Sequence, residues 1–341
     1  MLEPQSTNLI THSSELTNSS WVKTNTGTGS APSITSNYSI SPDGTQNADR
    51  VIFNLNGGTA NGDISQVSVT IGSVSSASYT NSVYIKSNTA NNYDLVVTDP
   101  SGGHIIKNIS TEWQRFDNPR ENVTNASFRI RLRGDEGTSD YADVSIWGAQ
   151  LEQQSFVTSL INTSGSTVQR AAETASGAGN SEVFNDSEGV LFAEINLIYN
   201  QSGRYITLGD GTSSNRIILG TEGGDDRIIF YVIVGGNVQC QIPYILPDIN
   251  AIYKIAIKYK QNDFALWVNG LEVGTDTSGS TLASNALSKL VFNGGTGTSN
   301  FYGKTKELGY YNTALTDAEL EYMTSYRSLN ELVTELNLNE L

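Results

Sequence analysis

Short runs rich in Val, Ile, Thr and Tyr recur along the whole chain, and tight-turn residues separate them. In the first half they fall at 50–55, 65–72, 81–87, 93–98, 126–133 and 141–147. In the second they fall at 189–198, 204–209, 215–220, 227–234, 252–259, 264–268, 289–293 and 300–311. Between them lie Pro42-Asp43-Gly44, Asn56-Gly57-Gly58 and Pro100-Ser101-Gly102-Gly103, which reverse the chain in few residues. No helical pattern alternates with these runs, so a parallel sheet built from βαβ units is excluded and β-sandwiches are expected. The strongest local signal is Phe264 to Val273, where Asn269-Gly270 divides two apolar runs as a type I′ hairpin turn requires. One helix start is present: Thr316 as N-cap with Glu319 three residues on.

A chain of 341 residues is expected to form two domains. The Ser/Thr/Gly/Ala-rich stretch 162–182 has little to bury and reads as their linker. The expected division is a first jelly roll over 1–161, that linker, a second sandwich over 183–326, and a tail over 327–341. The fold class is all-β, two tandem β-sandwich or jelly-roll domains with a short C-terminal helix. Charged residues are only 16%, yet 16 Tyr, 10 Phe and 4 Trp supply apolar surface for two cores.

A net charge of −15 argues against nucleic acid or an anionic membrane as partner. The sole cysteine, Cys240, excludes an intramolecular disulfide and reads as a buried, inert thiol. No apolar run is long enough for a membrane helix, and the polar start is not a signal peptide, so a soluble protein outside the secretory pathway is expected.

Several phrases occur in a telling order. Leu2-Glu3-Pro4-Gln5-Ser6-Thr7-Asn8-Leu9 precedes Trp21, then Ser41-Pro42-Asp43-Gly44-Thr45, Glu112-Trp113-Gln114-Arg115-Phe116 and Trp147-Gly148-Ala149-Gln150-Leu151-Glu152. This first half resembles the carbohydrate-binding-module-like (galactose-binding-like) jelly roll found in bacteriophage tail and fibre proteins. The second half, through Asn262 to Gly270 and Leu315 to Leu320, resembles the laminin G-like, concanavalin A-like domain that often follows it. The resemblance implies a virion-surface protein on a phage tail, fibre or capsid exterior. It implies bacterial surface polysaccharide and other virion proteins as partners, and homo-oligomers are compatible with it. Relatives usually continue upstream of Leu2, so an excised portion or a late-starting gene is expected. Related jelly rolls also hold a structural calcium, for which Glu15 and Asp143 occupy comparable places.

Candidate ligand residues come from alternation. In 126–133, Phe128, Ile130 and Leu132 take one face, and Arg129, Arg131 and Arg133 the other. Tyr84 and Lys86 share a polar face in the same way. These suit an acidic glycan; the alternative is internal salt bridging. Trp267, opposite Phe264, Leu266 and Val268, is either an exposed stacking platform or a cover for the second sheet. Trp21, Trp113 and Trp147 read as structural.

Catalytic patterns are missing. His12 and His104 lack zinc-ligand spacing, and no nucleophile elbow sits in a strand-to-helix context. Concanavalin A-like glucanases space carboxylates along one strand, about 5–5.5 Å apart. Here Glu194-Ile195-Asn196 replaces the second carboxylate with an amide. Non-catalytic glycan adhesion is the leading function. Pure virion decoration, or targeting of an upstream depolymerase, are the alternatives.

Overall fold

The structure, a computed structural model, describes residues 2–197, 203–223, 226–249 and 251–326. The expected tail 327–341 lies outside them. The described chain is all-β with one short helix, and it divides into two compact units. One unit is Gln5–Ala171; the other joins Met1–Pro4 to Ala172–Leu341.

The first unit begins with β1 (Ser6–Asn8), β2 (Val22–Thr26), β3 (Ser30–Ile40), β4 (Gln46–Asn54) and β5 (Ile64–Ser87). It continues with β6 (Tyr93–Val97), β7 (Ile106–Ile109), β8 (Gln114–Arg133), β9 (Tyr141–Glu152) and β10 (Val168–Arg170). Its main sheet runs β3-β4-β9-β5-β8-β6-β7, with β2 added on β5. The two long strands bend. Between Thr70 and Tyr79 the β5–β8 register shifts three times, through a Gly/Ser/Ala-rich stretch that includes Gly72 at φ 90°. Before the bend β5 pairs β2 and the end of β8; after it, β9 and the start of β8. Val67 and Phe128 from one half and Val83, Ile146 and Phe53 from the other share one core, so the sheet closes over itself. Trp21 belongs to that core, edge-on to Phe128, with its Nε1 donating to the His12 carbonyl at 2.8 Å.

Polar residues of the two terminal phrases are used internally. The fully buried Glu152 carboxylate accepts from Ser6 Oγ at 2.6 Å and from the Thr158 amide at 3.1 Å. The Asn8 amide donates to the Ala149 and Ile161 carbonyls. These bonds satisfy groups whose burial would otherwise be costly, and they tie β1 to β9.

The second unit starts with β11 (Ser176–Ala178), β12 (Glu188–Leu197), β13 (Arg204–Gly209), β14 (Arg216–Thr221), β15 (Arg227–Val234) and β16 (Asn237–Ile245). Then come β17 (Ile252–Lys260), β18 (Phe264–Val268), β19 (Leu271–Asp276), β20 (Lys289–Val291), β21 (Gly303–Tyr311) and α1 (Asp317–Thr324). A sheet ordered β11-β20-β13-β14-β15-β16 faces one ordered β19-β18-β17-β12-β21. Ile206, Leu219, Phe230, Ile255 and Leu266 fill the space between them. Cys240 lies in this core, where burial pushes its thiol up to about 12. The β18–β19 hairpin turns on Asn269 and Gly270, both at positive φ, as a type I′ turn demands. Helix α1 has the expected capping box between Thr316 and Glu319.

The division after Ala171 falls inside the stretch 162–182, which carries backbone pairing of its own. Thr163 bonds to Ser13, β10 pairs β1, and β11 pairs β20, so backbone pairing orders residues that have little side chain to bury. Trp267 is not an exposed platform: α1 lies over it, and Trp267 is buried with Val190, Phe192, Ala256 and Leu320. Alternation placed its face correctly but gave no sign that the helix would cover it.

Candidate functional site

The second half of β5, the start of β8, and strands β9 and β4 lie side by side. Their inward residues, Val83, Ile85, Val144, Ile146, Val51 and Phe53, are fully buried. Alternation then turns Tyr84, Lys86, Asp143, Ser145, Arg50 and Arg115 outward. Register aligns Arg50, Ser145 and Lys86 in one row and Trp147, Tyr84 and Arg115 in another.

Rings and cations meet on this face. The Arg115 guanidinium stands 5.2 Å from the Tyr84 ring centre and donates to Ser82 Oγ at 3.0 Å. Trp147 packs against the other side of the cluster, 5.3 Å from Tyr84. The Lys86 ammonium lies 5.2 Å from the ring centre of Trp113, whose Nε1 donates to the Ile40 carbonyl at 3.1 Å. Cation–π attraction holds each cation at its ring. Tyr84, Lys86, Trp113 and Arg115 are all half-buried, whereas Trp147 is buried.

A polar network extends the face. Arg50 binds Asp143 through both arms, Nε to Oδ1 at 2.9 Å and Nη2 to Oδ2 at 2.5 Å, and stacks 4.9 Å over Tyr38. Asn88 donates to Asp143 at 2.9 Å and accepts from Ser145, which in turn accepts from Ser39. The Arg50 hydrogen bond holds the Asp143 carboxyl below its ordinary range.

This pairing bears on the calcium expected at Glu15 and Asp143. Glu15 has separate partners, His12 Nδ1 and Ser164 Oγ, each at 2.6 Å. Ser164 and then His12 pull its carboxyl below the ordinary value. Among the described residues no three His, Cys, Asp or Glu side chains stand together as a metal site. A calcium ion at Asp143 has to displace Arg50 from both oxygens. In the second unit Asp210 caps its own turn, accepting from the Thr212 amide and Asn215.

The arginine stripe sits on the other half of β8, facing residues 64–68 of β5 rather than Tyr84 and Lys86. Phe128, Ile130 and Leu132 point inward and the arginines outward. Arg131 is only 5% exposed, its guanidinium in contact with Gln66 Oε1 and His104 Nε2. Burial, and then Arg133, push this guanidinium down from its ordinary value. Arg133 binds Glu136 at 3.0 Å, Asp135 at 3.2 Å and the Asn61 carbonyl at 3.0 Å. Arg129 is half-buried. The stripe is therefore not a row of three free guanidiniums: the segment carrying His104 covers its centre.

The sequence patterns that single out Tyr84 and Lys86 leave out Arg115, Arg50 and Tyr38, and Trp113 reads there as structural. Period-two reading of 112–116 places Trp113 and Arg115 on one face, which is the signal that finds them.

Comparisons with known proteins fall on the same folds. Residues 180–321 match the family model described as the concanavalin A-like lectin/glucanases superfamily. No curated protein matches the chain. Among solved structures, a native SAP-like pentraxin from Limulus polyphemus is similar at 15% identity, with 45% of this chain and 76% of that one covered, TM-score 0.37. Laminin alpha1 domains LG4-5 from mouse are similar at 11% identity over 86% of this chain and 94% of theirs, TM-score 0.30. The CBM22-1-CBM22-2 tandem domain of Paenibacillus barcinonensis Xyn10C is similar at 10% identity, over 90% of this chain and 98% of its own, TM-score 0.30. The family-model match lies within the second unit, and a carbohydrate-binding-module tandem is among the similar structures.

Proposed function

We propose that this is a non-catalytic carbohydrate-binding protein that reads glycan on the outward face of its first unit. One observation carries the proposal: Trp113 with Lys86, and Tyr84 with Arg115, set two aromatic rings and two cations on one sheet face. Rings accept the CH faces of sugars, while ammonium and guanidinium groups donate to hydroxyl or carboxylate oxygens. Catalysis is not part of the reading. Glu194 is engaged by the Lys306 ammonium at 2.7 Å, and Asn196 donates its amide to the Ala251 carbonyl.

The test is binding of the intact chain to an array of bacterial surface polysaccharides, repeated with Trp113→Ala and Lys86→Ala. Each variant should bind roughly tenfold or more weakly, the loss of about 1.4 kcal/mol, while melting close to the parent. Unchanged binding in both overturns the face assignment. Absence of any bound glycan overturns the function.

The finer reading is a phage adhesin that meets other virion proteins and docks on bacterial surface polysaccharide, copies adding avidity. It rests on the order of sequence phrases given above. Antibody against the chain should label phage particles in electron micrographs, and unlabelled particles remove that role.

A further inference from the structure

We infer that the second unit carries its own sugar site, a cleft beside α1 shaped for one neutral pyranose residue. The inference rests on the carbohydrate-binding reading but uses different residues on a different unit. Strands β12, β17 and β21 build the cleft on the outward face of their sheet, and Phe192, Glu194, Lys254, Lys306, Glu307 and Tyr311 line it. Its volume is about 220 Å³. A cavity of about 150 Å³ holds a benzene ring, so this one admits a six-membered ring with its hydroxyls and little more.

A β-bulge makes the site. The β12–β21 register advances from Glu194↔Glu307 to Ile195↔Thr305, leaving Lys306 as the extra residue. Regular alternation sends successive residues to opposite faces; the bulge instead brings Lys306 and Glu307 together on the cleft side. Glu194 is the second sign of a site. It is only 4% exposed, and the Lys306 ammonium meets its Oε1 at 2.7 Å, which leaves further lone pairs on the carboxylate. A buried carboxylate oxygen on a cleft wall with acceptor capacity left is a place for a ligand hydroxyl.

The chemistry selects the ligand. Two carboxylates and two ammonium groups cancel in charge, so the cleft has no bias toward an anion. Carboxylates accept from sugar hydroxyls and ammoniums donate to them, giving donors and acceptors in the mixture a pyranose presents. Tyr311, 42% exposed, and Phe192 supply the apolar wall against which a sugar's CH face rests.

Saturation-transfer NMR on the full chain tests this, with cellotriose, maltotriose and N-acetylated chitotriose as probes. The background is a Trp113→Ala/Lys86→Ala double variant, which disables the first face. At least one probe should still receive saturation there. Tyr311→Ala and Glu307→Gln, both at exposed positions, should each reduce it about fivefold or more while leaving the melt in place. No transfer in the double variant, or transfer indifferent to both cleft substitutions, overturns the second site and leaves the first standing if the parent chain binds. A parent chain that binds none of these probes and no arrayed polysaccharide overturns both.

Discussion

Arg50 grips both carboxylate oxygens of Asp143 across the β4–β9 pair, at 2.9 and 2.5 Å. Asp143 is nearly covered, whereas Arg50 keeps about a third of its side chain in solvent. The pair is therefore partly desolvated, and removing one partner strands the other. Because the folded-state pKa of Asp143 is depressed, its contribution is present above the unfolded value of about 3.9 and is lost as pH falls through the folded value. Asp143→Asn should lower stability at pH 7, by less than the roughly 3–5 kcal/mol seen when fully buried pairs are broken. The gap to the parent should close below about pH 4. Denaturant melts from pH 7 to pH 3 check it; a gap independent of pH refutes the ion pair. Calcium should leave the parent's melting temperature unchanged, because Arg50 occupies the oxygens it needs.

Arg131 should behave as an interior residue. Its guanidinium is covered and touches Gln66 and His104, and His104 Nδ1 meets Glu136 at 2.5 Å. Arg131→Ala removes a covered guanidinium together with its contacts to Gln66 and His104, so a loss of about 1–3 kcal/mol is expected, with glycan binding retained by the folded fraction. A melt close to the parent's together with weakened binding of an acidic polysaccharide would reverse the assignment.

The contrast between Arg131 and Trp113 marks what the sequence makes legible. Period-two alternation names the inward set Phe128, Ile130 and Leu132 and the outward set of arginines, because pleating alone decides that. It is silent on what crosses over the outward side. His104 arrives from a loop 27 positions away, and α1 reaches Trp267 from beyond residue 316. The bends in β5 and β8 hide in the same manner: Gly72 and its small neighbours signal a break, but only the paired strands show that Arg131 and Tyr84 fall on opposite sides of it. The contact between Trp113 and Lys86 is hidden for a related reason, since the two lie at different strands' ends.

Helix α1 should act as a clamp on the second unit. Leu320 is fully buried against Trp267, Phe192 and Ala256, and the capping box holds the helix start. Leu320→Ala should cost about 2–5 kcal/mol through lost burial and the cavity left behind. Thr316→Ala should cost about 1 kcal/mol, removing only the cap. No loss from Leu320→Ala would mean that α1 contributes nothing to the sheet it covers.

The division of the chain predicts how fragments behave. Leu2 exchanges both backbone bonds with Gly303, at 2.9 and 3.0 Å, and packs on the second unit's core, although the rest of the first half intervenes. The Glu3 amide also donates to Glu173 at 3.0 Å. A fragment of 5–171 keeps every strand of its unit, including the β1–β10 pair, and should melt cooperatively alone. A fragment of 172–341 lacks Leu2, exposing the Gly303 backbone and part of an apolar surface. It should fold but melt below the corresponding transition of the intact chain, and a synthetic peptide of residues 1–4 is too short to restore it at ordinary concentrations. Leu2→Asp in the intact chain should reproduce the deficit, since it removes the side-chain packing while keeping the backbone bonds. Calorimetry separates the outcomes: if 172–341 melts with the intact chain's second transition and Leu2→Asp leaves that transition unmoved, the N-terminal residues are no part of that unit.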